Sequence, residues 1–313
     1  MQADPMAFYI GNILKRVLHI IRVQCRSLNL KLAEDTNSNG EDYNPLMEMD
    51  SLKFLIGDDS YSRGSKEVEL EKFPKTEEQL KEEENAINEF QAQLEESLLI
   101  IQNEIEEAYQ SITDHCSEQI QANDTILTIG YSNILFEFFK EASKMYDFSV
   151  IVTENSPGNT GTVMARKLKR EGIKCILISD TSVFAYMSKI SKVIISTRAI
   201  MADGGLIADS GVELVVLAAD FHSVPVIVVS TLYKLTPLYP FDNTSYNKYI
   251  SPELVLNSKL IKNKEKVDII VPKYDYIEPE YISLYITNFG CHTPKYIYRE
   301  FAEYYSKEEL QNH

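Results

Sequence analysis

The stretch TILTIGYSNILFEFFKEASKMYDFSVIVTE, residues 125–154, decides the fold. It opens with a short β-branched run, continues with apolar residues at helical spacing, and closes with a second β-branched run. Strand, helix and strand in this order predict a right-handed βαβ unit, in which the two strands lie parallel in one sheet.

The same alternation continues toward the C-terminus. Short apolar runs predict strands at 174–179, 192–196 and 224–230, and GTVMARKLKREG (161–172) predicts a helix. We therefore predict a doubly wound, Rossmann-like α/β domain over 123–313, with any ligand in the crevice beyond the carboxyl ends of its parallel strands. In its tail we expect a helix begun by a proline, a glycine turn, and a second helix begun by Thr293-Pro294.

The residues before this domain predict helices instead. An apolar stripe at spacings of three and four runs from Ile10 to Leu28, and a second one fills 75–124, where no proline interrupts a helix of about forty residues. Residues 32–74 lose the periodicity and predict an acidic, mobile linker with at most a short helix around PLMEMDSLKFL. Together these segments predict a helical domain over 1–122.

The net charge of the chain limits the classes of molecule that it could bind. The 47 acidic and 31 basic residues give a net charge of -16, and most of the excess lies between residues 31 and 120. Such a surface repels phosphate backbones, which argues against direct binding of nucleic acid. Two explanations of the acidic residues remain open: they could bind a basic partner protein, or they could only keep a long helix soluble. Charged residues interrupt the first apolar run, so we expect no signal peptide, no membrane span and a cytosolic location.

Cysteine and histidine placement predicts no metal site. The four cysteines lie far apart, and two of them have a histidine neighbour, in His115-Cys116 and in Cys291-His292. Adjacent residues point in different directions on a helix or strand, so neither pair is a ready metal clamp. We expect buried free thiols, and neither a metal nor a cofactor.

Several residues near the predicted strand ends are candidates for chemistry, each with a structural alternative. SPGNTG (156–161) is either a phosphate cradle or a plain turn, because its glycine spacing fits no nucleotide-binding motif. Asp180 is expected to cap the next helix or to act in catalysis. Asp203, with Gly204 and Gly205, offers one carboxylate, which is too few ligands for a metal. His222 has no partner that the sequence can identify.

Longer segments resemble a known family. TIGYSNILFEFFKEA (128–142), SDTSVFAYMSKISKVIISTRAIMADGG (179–205), VLAADFHSVPVIVVSTLYKLTP (216–237) and YDYIEPEYISLYITNFG (274–290) resemble the α/β half of the alpha, beta and delta subunits of eukaryotic translation initiation factor 2B. GNILKRVLHIIR and INEFQAQLEESLLIIQNEIEEAY resemble the family's helical N-terminal domain. VFAYMSKISKVIIS and STLYKLTP favour the beta branch. Members usually begin with a further pair of helices, so we expect a shortened version.

The family shares its fold with isomerases of methylthioribose 1-phosphate and ribose 1,5-bisphosphate, and the resemblance implies that the isomerase chemistry is absent. Gly130 stands where those enzymes have a cysteine, Ser156 where they have a phosphate-binding arginine, and Arg198 where they have the catalytic aspartate. The segment Thr160, Gly161, Thr162, Val163 replaces their Gln-Gly-Ala-Arg. Glycine has no side chain and arginine stays protonated, so neither serves as acid or base.

The resemblance implies a non-catalytic regulatory and scaffolding subunit of the guanine-nucleotide exchange factor for translation initiation factor 2. Its implied partners are the delta, alpha, gamma and epsilon subunits of that factor, and initiation factor 2, especially its alpha subunit. Two halves of the resulting decamer would meet at Asn123, Thr125, Ser149 and Ile151, and the helical segment 8–120 would face initiation factor 2.

Two alternatives stay open at this stage. One is a sugar-phosphate or nucleotide-binding protein, either an isomerase-related enzyme or a sensor, that uses the crevice near Gly130, Gly158, Asp180 and Arg198. The other is a homodimer of unrelated function.

Overall fold

The computed structural model describes ten helical residues between 10 and 24, residues 77–240, 247–255 and 268–297, and residue 299. For some of the residues before 88, only the backbone is described. The predicted linker at 32–74 lies outside the described residues. The chain forms two compact units: residues 13–105, and residues 1–12 together with 106–313.

The described residues of the unit 13–105 are helical. Its main element is the first part of helix α1 (Glu77–Asp114), whose 38 residues confirm the predicted long helix. Arg16 forms an ion pair with Glu104 at 2.7 Å, and the Gln24 side chain donates hydrogen bonds to the Gln93 carbonyl and the Ser97 hydroxyl. The first helix therefore packs against the long one. Among the described helices, none is long and apolar enough to cross a membrane.

The second unit is built on a mostly parallel sheet of seven strands. Its strands in chain order are β1 (Thr125–Ile129), β2 (Ser149–Thr153), β3 (Lys174–Ile178), β4 (Lys192–Ser196), β7 (Val226–Val229), β9 (Leu284–Thr287) and β10 (Gly290–His292). The order across the sheet is β10-β9-β7-β4-β1-β2-β3, and only β10 runs antiparallel to its neighbour. The structure thus confirms the predicted doubly wound α/β fold.

Helices cover both faces of this sheet. They are α2 (Cys116–Gln119), α3 (Asn133–Ser143), α4 (Gly161–Arg170), α5 (Val183–Met187) and α6 (Val212–Phe221). Alternate strand residues point to opposite faces, so Ile126 packs with α3 and α4 while Leu127 packs with α5 and α6. The end of α1 and all of α2 join the first of these cores through Ile112, Cys116 and Ile120.

A second, three-stranded antiparallel sheet was not predicted. It consists of β5 (Ala199–Ile200), β6 (Leu206–Asp209) and β8 (Tyr274–Ile277) in the order β5-β6-β8. The predicted helix begun by a proline in the tail is wrong, because only the single turn Pro279–Tyr281 forms there. The following residues, rich in β-branched and aromatic side chains, form β9 beside β7 instead. The second tail helix does begin at Pro294, as predicted, with a 3-10 turn.

Candidate functional site

The five predicted crevice residues follow four neighbouring strands at their carboxyl ends. Gly130 follows β1, Ser156 and Gly161 follow β2, Asp180 follows β3, and Arg198 follows β4. Because these strands are parallel, their ends meet at one edge of the sheet.

Asp180 holds the loop that follows β2. Its two carboxylate oxygens accept hydrogen bonds from the backbone N–H groups of Asn155, at 2.9 Å, and Ser156, at 2.6 Å. The prediction that Asp180 caps its own helix is wrong, because Asp180 is the first residue of the 3-10 turn Asp180–Ser182 and its carboxylate points to the neighbouring loop. Charge-assisted bonds to two successive amides make this contact strong.

Asn155 is the residue that sequence reasoning missed. It is buried with φ +58°, and its side-chain N–H donates to the Thr160 hydroxyl at 3.1 Å. A Cβ added to Gly130 would lie 2.8 Å from the Asn155 amide nitrogen and 3.0 Å from the Thr160 oxygen. The space beside Gly130 is therefore filled by the chain's own polar groups. Asparagine's tolerance of the left-handed region was the available signal.

Gly161 is required by close packing. A Cβ at this position would lie 1.8 Å from the backbone oxygen of Thr153, whereas one at Gly158 would meet nothing closer than 3.7 Å. Only glycine lets the first turn of α4 approach the end of β2 this closely. This geometry favours the turn interpretation of SPGNTG over the phosphate cradle.

The cations at the end of β4 are engaged with the chain itself. The Arg198 guanidinium donates two hydrogen bonds to the Asp209 carboxylate, at 2.9 and 2.8 Å. Lys234, which was not predicted, is half-buried and donates to the Thr197 carbonyl at 2.9 Å. Burial, and to a smaller degree the charge of Arg198, lowers the pKa of Lys234 to about 8. Asp209 acts in the opposite direction.

The glycine loop after Arg198 is also filled by its own contacts. The Asp203 carboxylate accepts hydrogen bonds from the Gly205 N–H and the Tyr276 hydroxyl. The Tyr285 hydroxyl donates to the Gly204 carbonyl at 2.8 Å. Burial first, and then this bond to Asp203, raises the pKa of Tyr276. These contacts give Asp203 a structural role in the loop.

A different feature of this unit is open to solvent: an apolar groove of about 660 Å³ between α5 and α6. We call it the α5–α6 groove. It is lined by Asp180, Thr181, Phe184, Glu213, Leu214, Leu217, Ala218 and Phe221. Phe184 is 52% exposed and Phe221 72% exposed, and their rings lie 5.1 Å apart. His222 packs against both rings, which gives it a place in an aromatic cluster.

The rim of the groove is acidic. Asp180 and Glu213 lie among its lining residues. Burial, followed by the nearby charges of Asp275 and Glu278, raises the pKa of Glu213. Asp275 also accepts hydrogen bonds from the N–H groups of Gly211 and Glu213 and so fixes the start of α6. An apolar floor with an acidic rim suits a protein surface better than a sugar phosphate.

The four predicted interface residues lie on β1 and β2 or just before them. Asn123 is exposed and Thr125 and Ser149 are half-buried, with their hydroxyls 3.3 Å apart. Ile151 differs, because it is 3% exposed and packs in the core. The first two strands do not form an edge of the sheet, since β3 lies outside β2. An interface at these residues would therefore be formed by the amino-terminal ends of β1 and β2.

The sequence is similar to curated initiation factor subunits and also to an isomerase. It is 36% identical over 99% of its length to the translation initiation factor eIF2B subunit beta of Dictyostelium discoideum, of which it covers 82%. It is also 30% identical to the ribose 1,5-bisphosphate isomerase of Pyrococcus furiosus. That match covers 60% of this chain and 59% of the isomerase.

Solved structures share the fold. Crystalline eIF2B beta from Chaetomium thermophilum covers 98% of this chain, and 76% of its own length matches, with a TM-score of 0.67 and 24% identity. The tetrameric eIF2B-beta2-delta2 complex from C. thermophilum matches 72% of this chain and 69% of its own, with a TM-score of 0.56 and 25% identity. A family model described as the initiation factor 2 subunit family matches residues 1–294. The chain therefore belongs to the initiation factor 2 subunit family.

Proposed function

We propose that this chain is a non-catalytic regulatory and scaffolding subunit of the exchange factor for translation initiation factor 2, and that it acts in the cytosol. The proposal is supported by the similarity to an eIF2B beta subunit over 99% of the chain. It keeps the predicted division into a helical domain, 1–122, and an α/β domain, 123–313.

The observation that carries the proposal is the α5–α6 groove. Four large apolar side chains there are between 46% and 72% exposed: Phe184, Leu214, Leu217 and Phe221. Exposed apolar clusters that are rimmed by polar groups mark protein contacts, and aromatic side chains dominate the affinity of such contacts. A beta2-delta2 complex of the related protein has been crystallised. We therefore propose that a delta subunit covers this groove with apolar side chains and basic groups that face its rim.

The absence of catalysis is proposed on chemical grounds. Gly130 has no group to donate or accept a proton, and the Arg198 guanidinium is held in an ion pair with Asp209. Asp180, the carboxylate at the end of β3, is occupied by two backbone amides. We infer that the positions of an isomerase site are replaced here while the fold is kept.

The wider assembly follows from the family resemblance. We propose that alpha, gamma and epsilon subunits complete a heterodecamer. In it, the amino-terminal ends of β1 and β2, around Asn123, Thr125 and Ser149, would contact the second half of the particle. The helical segment 8–120 would then face the alpha subunit of initiation factor 2.

The direct test is reconstitution of the exchange factor from its five kinds of subunit, with and without this chain. We expect that leaving the chain out prevents formation of the full particle. It should also remove the difference in GDP release between initiation factor 2 that is phosphorylated on its alpha subunit and factor that is not. A particle that assembles and responds normally without this chain would contradict the proposal.

One observation favours a second function. Lys234 and Arg198 place two cations near the end of β4, where a phosphate of a sugar or nucleotide could bind. Calorimetric titration with methylthioribose 1-phosphate and ribose 1,5-bisphosphate separates the two hypotheses. Saturable binding together with turnover would support the enzyme and overturn the scaffold, whereas the absence of both supports the scaffold.

A further inference from the structure

Three potential metal ligands meet at the edge of the large sheet, away from the crevice and the groove. They are His115, Glu118 and Cys291, and one ligand atom of each lies within 4.8 Å of the other two. His115 Nδ1 and a Glu118 carboxylate oxygen are 3.7 Å apart. Among the residues that the structure describes, this is the one group of its kind.

The fold holds these residues in place from two sides. His115 immediately precedes the short helix α2 in a helical backbone conformation, and Glu118 lies three positions further on within it, so the two side chains share one face. Cys291 lies on the edge strand β10, opposite Ile286 of β9. The Ser111 hydroxyl donates to the Asn288 carbonyl at 2.8 Å and ties the end of α1 to the turn between these strands.

The chemistry of the three groups selects for a particular class of ion. Imidazole nitrogen, thiolate sulfur and carboxylate oxygen are the ligands of zinc, whereas a thiol and an imidazole disfavour calcium and magnesium. Zinc bonds of this kind place tetrahedral ligands about 3.3 to 3.8 Å apart. His115 and Glu118 already have such a spacing, and the side chain of Glu118 is 61% exposed, so it has room to adjust when an ion binds.

The surroundings fit a bound cation. A divalent ion would displace the thiol proton, and the thiolate and carboxylate would neutralise its charge. The Gln119 side-chain amide lies 3.9 Å from the Cys291 sulfur as a hydrogen-bond donor, the position of an outer-shell partner. Glu118 gives the ion a path from solvent, and water can take a fourth position.

We propose that His115, Glu118 and Cys291 form a zinc site that fastens the junction of α1 and α2 to the edge strand β10. This departs from the expectation of no metal. That expectation considered the adjacent pairs His115-Cys116 and Cys291-His292, and the site takes one member from each pair. Sequence proximity could not show this, because the two halves are 176 positions apart in the chain.

The test is metal titration of the full chain after treatment with a chelator. Co²⁺ is the probe, because a tetrahedral site that includes a thiolate gives visible bands and a near-ultraviolet sulfur-to-cobalt band. We expect one Co²⁺ per chain, with both signals, and displacement by one equivalent of Zn²⁺. Cys291→Ser should remove the near-ultraviolet band and weaken binding at least tenfold. Cys175→Ser, a partly buried thiol on β3, is the matched control and should change neither.

A second variant keeps the proposal testable if Cys291→Ser misfolds. Glu118→Gln changes an exposed side chain and leaves the core intact, so it should fold, and we expect at least a tenfold loss of Zn²⁺ affinity. Zn²⁺ should also raise the melting temperature of the wild-type chain more than that of this variant. Either of two results would overturn the proposal: no stoichiometric Co²⁺ binding, or a cobalt spectrum that Cys291→Ser and Glu118→Gln leave unchanged.

Discussion

The crevice at the strand ends and the α5–α6 groove belong to the same α/β unit, yet their side chains are partnered in opposite ways. In the crevice, Asp180 and Asn155 make hydrogen bonds to the chain itself, and Asn155 fills the space beside Gly130. In the groove, Phe184 and Phe221 expose about half or more of their surface. This difference is the basis of the proposal that the chain binds a partner at an outer face of its helices and not in the ligand crevice of the fold.

The largest expected effect tests how tightly the crevice is built. Gly161→Ala should lower the free energy of unfolding by about 3 kcal/mol, because the new Cβ would overlap the backbone oxygen of Thr153 and neither backbone can give way. Urea unfolding of the full chain measures the change. Gly158→Ala is the matched control, since its Cβ has ordinary contacts, and it should be nearly neutral. Equal effects of the two substitutions would contradict the close packing of Gly161 against Thr153.

The next prediction tests the groove. The double variant Phe184→Ala, Phe221→Ala should weaken binding of the delta subunit by roughly 30-fold or more, because aromatic residues at the centre of a contact each contribute about 1 kcal/mol or more. Its melting temperature should stay close to that of the wild type. Phe289→Ala removes an equally exposed aromatic that does not line the groove, and should leave the affinity unchanged. Calorimetric titration with the delta subunit measures the affinity of each variant. Undiminished binding of the double variant would show that the contact with delta does not lie at the groove.

A smaller effect is expected at the carboxylate that links the two features. Asp180→Asn should cost about 1.5 kcal/mol of unfolding free energy, because one of its two amide contacts would lose a charged acceptor. Asp220→Asn, an exposed carboxylate on α6, is the control. The measurement is again urea unfolding. No difference between the two variants would mean that the loop after β2 does not depend on Asp180.

The smallest effect, taken per pH unit, is a dependence of stability on pH. The pKa of Lys234 is about 8 in the folded chain and near 10.5 when unfolded, so between these values the unfolded chain binds more protons. The contribution of Lys234 to stability should therefore rise with pH, by about 1 kcal/mol per unit between pH 8 and 10. Lys234→Met should lack this rise. A variant with the same slope as the wild type would show that Lys234 is not buried.

The sequence predicted the parallel strands well, because their β-branched runs are short and bounded. The run 192–196 coincides with β4, and the end of β1 lies within one residue of its prediction. The C-terminal part was harder. Pro279 is compatible with a helix start and with the single turn that forms, and the choice depends on the place beside β7 that β9 occupies.

Two features of the site could not be found by pattern. Helix α6, VELVVLAADF, is largely apolar, which is typical of a buried helix, and only the structure shows Leu214 and Leu217 exposed. Asn155 is held by Asp180, which is 25 positions away, and Lys234 binds the backbone of Thr197, which is 37 positions away. In contrast, the positions of Gly130, Asp180 and Arg198 near strand ends followed from the predicted strands.

The measurement that tests the central claim most directly is sedimentation velocity of the purified chain with and without a delta subunit. We predict that the chain alone self-associates and that it becomes a defined complex with an equimolar amount of delta. A stable monomer whose sedimentation delta does not alter would contradict the proposal that this chain works by holding partners.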